Sequence, residues 1–388
     1  MGQQNVSCGR VIVCACLLVA SGWTVGCGKL RTAADNTSPG KTALSAGRTV
    51  QAPAKGWERF DIAPRKFSGG LQEVAFVDAY SGWAIGWDGM ILHTSDGGRS
   101  WSKQNGNTER DLRDVWFASK YEGWIIGGGG VNTDLLHTTD SGETWRKETQ
   151  PVTGLARKLD FIDGNNGWLA GLDPHGSGRV AIAHTADGGT SWALSAMPEG
   201  VSDPDDWTVF ATSFVSQAEG WTIGHRTIRH TRDGGATWDL QYVRPHDAMP
   251  FCDLEFIQFL DSRTGWVVGR MNGDMGNATT ILRTIDGGVT WREAQPPIMF
   301  NGFRFLSASV GVGVGYSFND LTGESRRPKG NDTDGVMVLT TNGGETWEEI
   351  YRIPGGNLYD VVFTENGHGW AIGAGGILLH YTPRKIEV

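Results

Sequence analysis

Six turns hold the residue types most suited to chemistry. The pattern Ser/Thr-x-Asp-Gly-Gly-x-Thr-Trp runs through Ser95-Asp96-Gly97-Gly98 to Trp101, and returns around Asp140, Asp187, Asp233 and Asp286. A sixth copy carries Asn342 in the acidic position, and Ser141 replaces a Gly in the second. Two carboxyl groups set across a sugar can hydrolyse a glycosidic bond. Here the carboxylates recur about every 45–55 residues, one per repeat, which spreads them instead of pairing them. A short carboxylate followed by Gly has another use. It accepts N–H bonds inside its own turn while Gly supplies the positive φ, and the Trp then covers the hairpin. Asn342 and Ser141 can still cap a turn. Asp96, Asp140, Asp187, Asp233, Asp286 and Asn342 therefore read as structural.

Five of the nine histidines, His93, His137, His184, His230 and His380, also recur at one place per repeat. A metal site needs its ligands to converge on one ion, which residues on separate repeats do not do. They read as hydrogen-bonded packing histidines, and neither a metal nor a cofactor is expected. Asn331-Asp332-Thr333-Asp334-Gly335 lacks the spacing and the final Glu of a calcium loop. The chain shows no nucleophile elbow, phosphate loop or zinc-spaced cluster.

The elements that position these residues follow from the repeat. One unit reads Leu71-x-x-Val74-x-Phe76, then Gly82-Trp83-x-x-Gly86, then Leu92-His93-Thr94-x-Asp96-Gly97-Gly98 and Trp101. Gly-Trp-x-x-Gly returns at Trp124, Trp168, Trp221, Trp266 and Trp370, and the closing Trp at Trp145, Trp192, Trp238, Trp291 and Trp347. Four short runs of Val, Ile, Phe and Trp per unit, each ending at Gly or Asp, describe a four-stranded propeller blade. Inner strands are predicted to start near Leu71, Leu112, Leu159, Phe210, Phe256, Phe303 and Leu358, which makes seven blades. The last unit stops at Pro383 without its outer strand, whereas Gly56-Trp57-Glu58-Arg59-Phe60 matches Thr346-Trp347-Glu348-Glu349-Ile350. The all-β reading is thus a seven-bladed β-propeller over 56–383, its ring closed by the N-terminal strand joining the last blade. Closure would hide sheet edges in a chain that has no disulfide to hold it.

Outside the ring the chain reads as processing and tether. Arg10 precedes an apolar run from Val11 to Ala20, which is short for a bilayer span and suited to a secretory signal. Thr24-Val25-Gly26-Cys27 resembles a lipobox, although Thr stands where Leu is usual. The expectation is a lipoprotein-type signal over 1–26, a lipidated Cys27, a flexible tether over 27–55 and a short tail over 384–388. The protein is then exported and anchored at the periplasmic or cell-surface side of a membrane. A net charge of −9 argues against a nucleic-acid partner, and a monomer is expected.

Antiparallel strands put the loops after second and fourth strands on one face and the Asp turns on the other. The long insertions all fall on the first face: 172–179, 270–279, 316–335, 193–208 and 239–253. Loops on a rigid scaffold are where recognition usually resides. Candidate partner-binding residues are Asp173, His175, Arg179, Trp207, Arg244, His246, Arg270, Arg326 and Arg327.

The acidic turns are the Asp-box, or BNR, motif. With the Gly-Trp-x-x-Gly repeat over 56–383, the chain resembles the photosystem II stability and assembly factor family. That resemblance implies a seven-bladed propeller, often exported as a lipoprotein, that assists assembly of a membrane protein and binds its client partly through arginines. The leading reading is a non-catalytic binding or assembly factor with a protein partner at an extracytoplasmic membrane surface. One rival is a glycosidase, because sialidases and xyloglucan hydrolases share these boxes. Tyr351-Arg352-Ile353-Pro354 resembles the sialidase Arg motif but follows the sixth box instead of preceding the boxes. A second rival is a structural surface protein.

Overall fold

Steric demands at three residue types build the ring. The computed structural model describes residues 53, 55–62, 70–129, 132–152, 158–172, 180–196, 209–245, 253–273, 276–318 and 333–383. These form seven four-stranded antiparallel sheets. Blades 1 to 6 span 71–105, 112–148, 159–196, 211–243, 253–294 and 299–353. Blade 7 pairs Leu358–Phe363, Gly369–Gly373 and Ile377–Tyr381 with Trp57–Asp61 as its outer strand. Trp57 lies opposite Tyr381 and Phe60 opposite Leu378, so the ring closes as the sequence predicts. The Trp57 ring packs on Phe363 and Tyr381, and its Nε1–H donates to Pro53 O at 2.9 Å.

The first Gly of Gly-Trp-x-x-Gly sits beneath an inner-strand phenyl ring. A Cβ on Gly82, Gly123 or Gly369 would run into Phe76, Phe117 or Phe363. The second Gly meets backbone, since a Cβ on Gly86 or Gly373 would strike Gly70 O or Asn357 O. Between them the Trp is buried and stacks on the equivalent Phe of the next blade. Trp83–Phe117, Trp168–Phe214, Trp221–Phe259 and Trp266–Phe305 lie 3.5–3.7 Å between centroids. Trp370–Phe76, at 3.8 Å, carries the same stack across the seam from blade 7 to blade 1. The indole Nε1–H then reaches a box carbonyl of that next blade: Trp83 to Ser141 O, Trp168 to Gly234 O, Trp266 to Gly343 O and Trp370 to Gly97 O. The core therefore lies between blades, as where Ile85 of blade 1 packs with Leu112 and Leu136 of blade 2.

Two expectations need correction. The inner strands of blades 5 and 6 begin at Asp253 and Met299, with Leu254 and Phe300, not Phe256 and Phe303, in the place of Leu71. The insertion 270–279 is largely ladder: Arg270 pairs with Thr279 and Asn272 with Asn277, so Arg270 belongs to a strand. Likewise Tyr316 pairs with Gly335 and Phe318 with Thr333. Among the described residues no helix is long and apolar enough to cross a membrane.

Candidate binding site at the channel mouth

The seven inner strands line an axial channel of about 690 Å³. Five of them shift register at one shared place, just after their first residues. A bulge sets two residues against one, bends the strand and re-aims a side chain. The bulged residues are Gln72, Arg113, Glu255, Asn301 and Tyr359, and all five line the channel. Inner strands start on the long-insertion side, so the bulges lie at that mouth. The residue after the second Gly of each second strand forms an outer rim there. It is Trp87 in blade 1, His225 in blade 4, Arg270 in blade 5 and Tyr316 in blade 6.

The rim at blades 4 to 7 is cross-tied. Arg270 Nε lies 2.8 Å from Glu255, while its Nη1 donates to Asn301 Oδ1 at 2.8 Å and to Phe300 O at 3.2 Å. Asn301 Nδ2 donates in turn to Asn357 Oδ1 and Leu358 O. Burial pushes the Tyr316 phenol above its ordinary pKa, opposed by Arg270. His225 Nδ1 sits 2.9 Å from Asp253, with Phe210 edge-on to its ring. The rim at blades 1 and 2 is more open. Trp87 is 50% exposed, the one strongly exposed Trp among the described residues, and Arg113 Nε donates to Gly128 O.

Just inside the bulges, one layer divides by chemistry. Asp360, Glu73, Asp114 and Lys158 form one arc, facing Ala211, Phe256 and Gly302. Lys158 binds Glu73 directly and lies 3.3 Å from Asp114. Asp114 also accepts Leu159 N–H, and Asp360 accepts Val74 N–H across the seam. Burial pushes the Glu73 carboxyl well up despite Lys158, and pushes Asp360 up for the same reason. Burial works against the Lys158 ammonium, but Asp114, Glu73 and Asp360 together hold its pKa above the usual lysine value.

Of the residues singled out from the sequence, Arg270 stands at this mouth and is one-fifth exposed. Arg244 is 2% exposed: Nη2 reaches Glu293 at 3.2 Å, and its carbonyl accepts Arg226 Nε and Nη2. It therefore supports blade 4 from within. Asp173, His175, Arg179, Trp207, His246, Arg326, Arg327 and Cys27 lie outside the described residues. The bulged ring and Trp87 were not among the predicted contacts. Trp87 could have been noticed as a Trp outside both repeated Trp positions.

On the opposite face, each box Asp is engaged by its own turn. Asp96 Oδ1 accepts from Thr94 Oγ1 and Ser100 N, and Oδ2 from Ser100 Oγ at 2.6 Å. Asp140, Asp187, Asp233 and Asp286 repeat this arrangement. Hydrogen bonds from the Thr237 hydroxyl and amide hold Asp233 down to about 2. In Asn342 the amide instead donates, from Nδ2 to Thr346 Oγ1. The repeated histidines stack on the Trp of their own blade, as His93 on Trp83, His184 on Trp168 and His230 on Trp221. His137, His230 and His380 also carry side-chain hydrogen bonds, whereas His184 Nε2 is buried without one. Arg352 binds Glu349, Asp334 and Ser317. Among the described residues no cluster could hold a metal ion.

This geometry defines a seven-bladed propeller with a polar, bulged channel mouth opposite a face of self-capped turns. The model of the photosynthesis system II assembly factor YCF48 family matches residues 50–153 and 145–250, more than half of the chain, and the protein belongs to that family. Its fold resembles a solved YCF48 bound to D1 peptide, with 20% identity, 85% of this chain and 98% of the other covered, and a TM-score of 0.59. YCF48 from Cyanidioschyzon merolae is similar at 18% identity, coverage of 86% and 100%, and a TM-score of 0.60. The GH74 enzyme of Niastella koreensis shares the fold at 15% identity and a TM-score of 0.59, covering 83% of this chain and 53% of its own. No curated protein matches the sequence.

Proposed function

We propose that the protein is a non-catalytic binding propeller that assists assembly of a membrane protein, holding an extended segment of that client across the channel mouth. Membership of the YCF48 family carries this reading, and a relative of the same fold is bound to a D1 peptide. The mouth suits such a ligand because Gln72 and Tyr359 line it and offer an amide and a hydroxyl to a peptide backbone. The box carboxylates are turn components in this reading. Export, and attachment of the ring to a membrane through a lipidated Cys27, complete it. A photo-crosslinking residue at Gln72 in intact cells should capture an integral membrane protein. Capture from a box-face position such as Glu345, with none from Gln72, would reject the mouth as the binding surface.

The hydrolase alternative rests on the fold shared with GH74. Within the inner layer of the channel its acid and base would be drawn from Glu73, Asp114 and Asp360, which Lys158 and backbone amides already engage. Release of reducing sugar from β-glucans by the purified protein would decide in its favour.

A further inference from the structure

We infer that the mouth at blades 1 and 2 receives a lysine or arginine side chain of the partner polypeptide, with Trp87 as its aromatic platform. The inference deepens the binding reading above and rests on it. The fold does not require Trp87. Equivalent positions hold Gly128, His225, Arg270, Tyr316 and Ala374, and its own indole is half exposed at the lip of the channel. An indole face left in water beside an open cavity attracts a cation through its quadrupole.

The charge around it has the complementary sign. Exposed Asp88, Glu109 and Asp111 stand on the turns beside Trp87, and the Asp88 N–H donates to Asp111 Oδ1, tying two of them together. Deeper on the same side, Glu73 and Asp114 share the ammonium of Lys158. The nearby cations are committed elsewhere: Arg110 and Lys147 lie on Asp134, and Arg113 donates to Gly128 O. In the opposite arc, Ala211 and Gly302 carry no charge and suit the methylene stem of a long basic side chain, while Arg270 lies over the Phe256 ring at 5.6 Å. An acidic side chain meets repulsion here, and a neutral one forgoes the electrostatic attraction.

The test uses full-length protein and fluorescein-labelled (Lys-Ala)4, its acetyl-lysine counterpart and (Glu-Ala)4, followed by fluorescence polarisation. The lysine peptide should bind, the other two should not, and binding should weaken at about 0.5 M salt, where screening is short-ranged. Trp87→Ala should weaken it about fivefold. Asp88→Asn with Asp111→Asn should weaken it too and flatten the salt dependence, with circular dichroism unchanged. No lysine-peptide binding, equal binding of the acetylated or acidic peptide, or wild-type affinity in both variants overturns the inference. Loss of the lysine peptide alone, with the client still crosslinked from Gln72, removes the cation site and keeps the assembly-factor reading.

Discussion

At the residue scale, the repeated letters each answer to a local contact. Gly82 lies under the Phe76 ring, so Gly82→Ala must displace that ring or the strand. A loss of about 1–3 kcal/mol is expected, as for other forced overpacking, measured by urea denaturation. A variant as stable as the wild type would mean that the ring has room to move. The boxes respond differently. Asp96→Asn should be nearly neutral, because Asn342 already fills the same turn by turning its amide toward Thr346. Asp96→Ala removes the acceptors of Thr94 and Ser100 and should cost about 1 kcal/mol. Equal losses in the two variants would show that charge, not turn geometry, matters at Asp96.

At the element scale, ring closure depends on one strand. Trp57–Asp61 pairs with Ile377–Tyr381 over its whole length, and Ile62 N–H adds a bond to Gly376 O at 2.7 Å. Without it the last blade exposes a long apolar edge. Trp57→Ala should cost about 3–5 kcal/mol, in the range of large core truncations. Deleting 56–62 should lower the melting temperature far more than deleting 30–50, and a synthetic 55–62 peptide added in excess should restore part of the loss. If the peptide restores nothing, closure is not the source of the stability. This strand was legible because the final unit lacks an outer strand that the N-terminus matches. The bulges were not. Gln72, Arg113, Glu255, Asn301 and Tyr359 have no single side-chain chemistry common to all five, and a bulge is a relation between two strands that one strand's sequence does not encode. Similarly, Phe256 and Phe303 imitate Leu71 in type, while Leu254 and Phe300 take its place in register. The hairpin beyond Arg270 reads as loop because its Met, Asn and Gly residues have little strand character.

At the scale of the whole molecule, the ring distributes titrating groups between layers with opposite responses to pH. Burial lowers His380 to about 4 from its ordinary 6.5, aided by His368 and Arg99. Burial lowers His93, His137, His184, His230 and His368 in the same direction. A histidine depressed in the fold takes up its proton more readily when unfolded, so stability falls as pH drops from about 6.5 to about 4 and then levels off. The channel carboxylates run the other way. Glu73 and Asp360 are raised, so the fold holds their protons more tightly than the unfolded chain does, and stability declines as pH rises through their folded values. Melting temperature at constant ionic strength should therefore drop on acidification from pH 7 toward 4, with the histidines outnumbering the two carboxyls. His380→Phe keeps a ring on Trp370 and Phe60 but takes up no proton. Its slope over that window should be shallower than that of the wild type, so that the variant gains stability relative to the wild type as pH falls from about 6.5 to about 4. Parallel curves would show that the His380 proton is not linked to folding. A slope steeper in the variant would contradict the sign derived from its buried, neutral state.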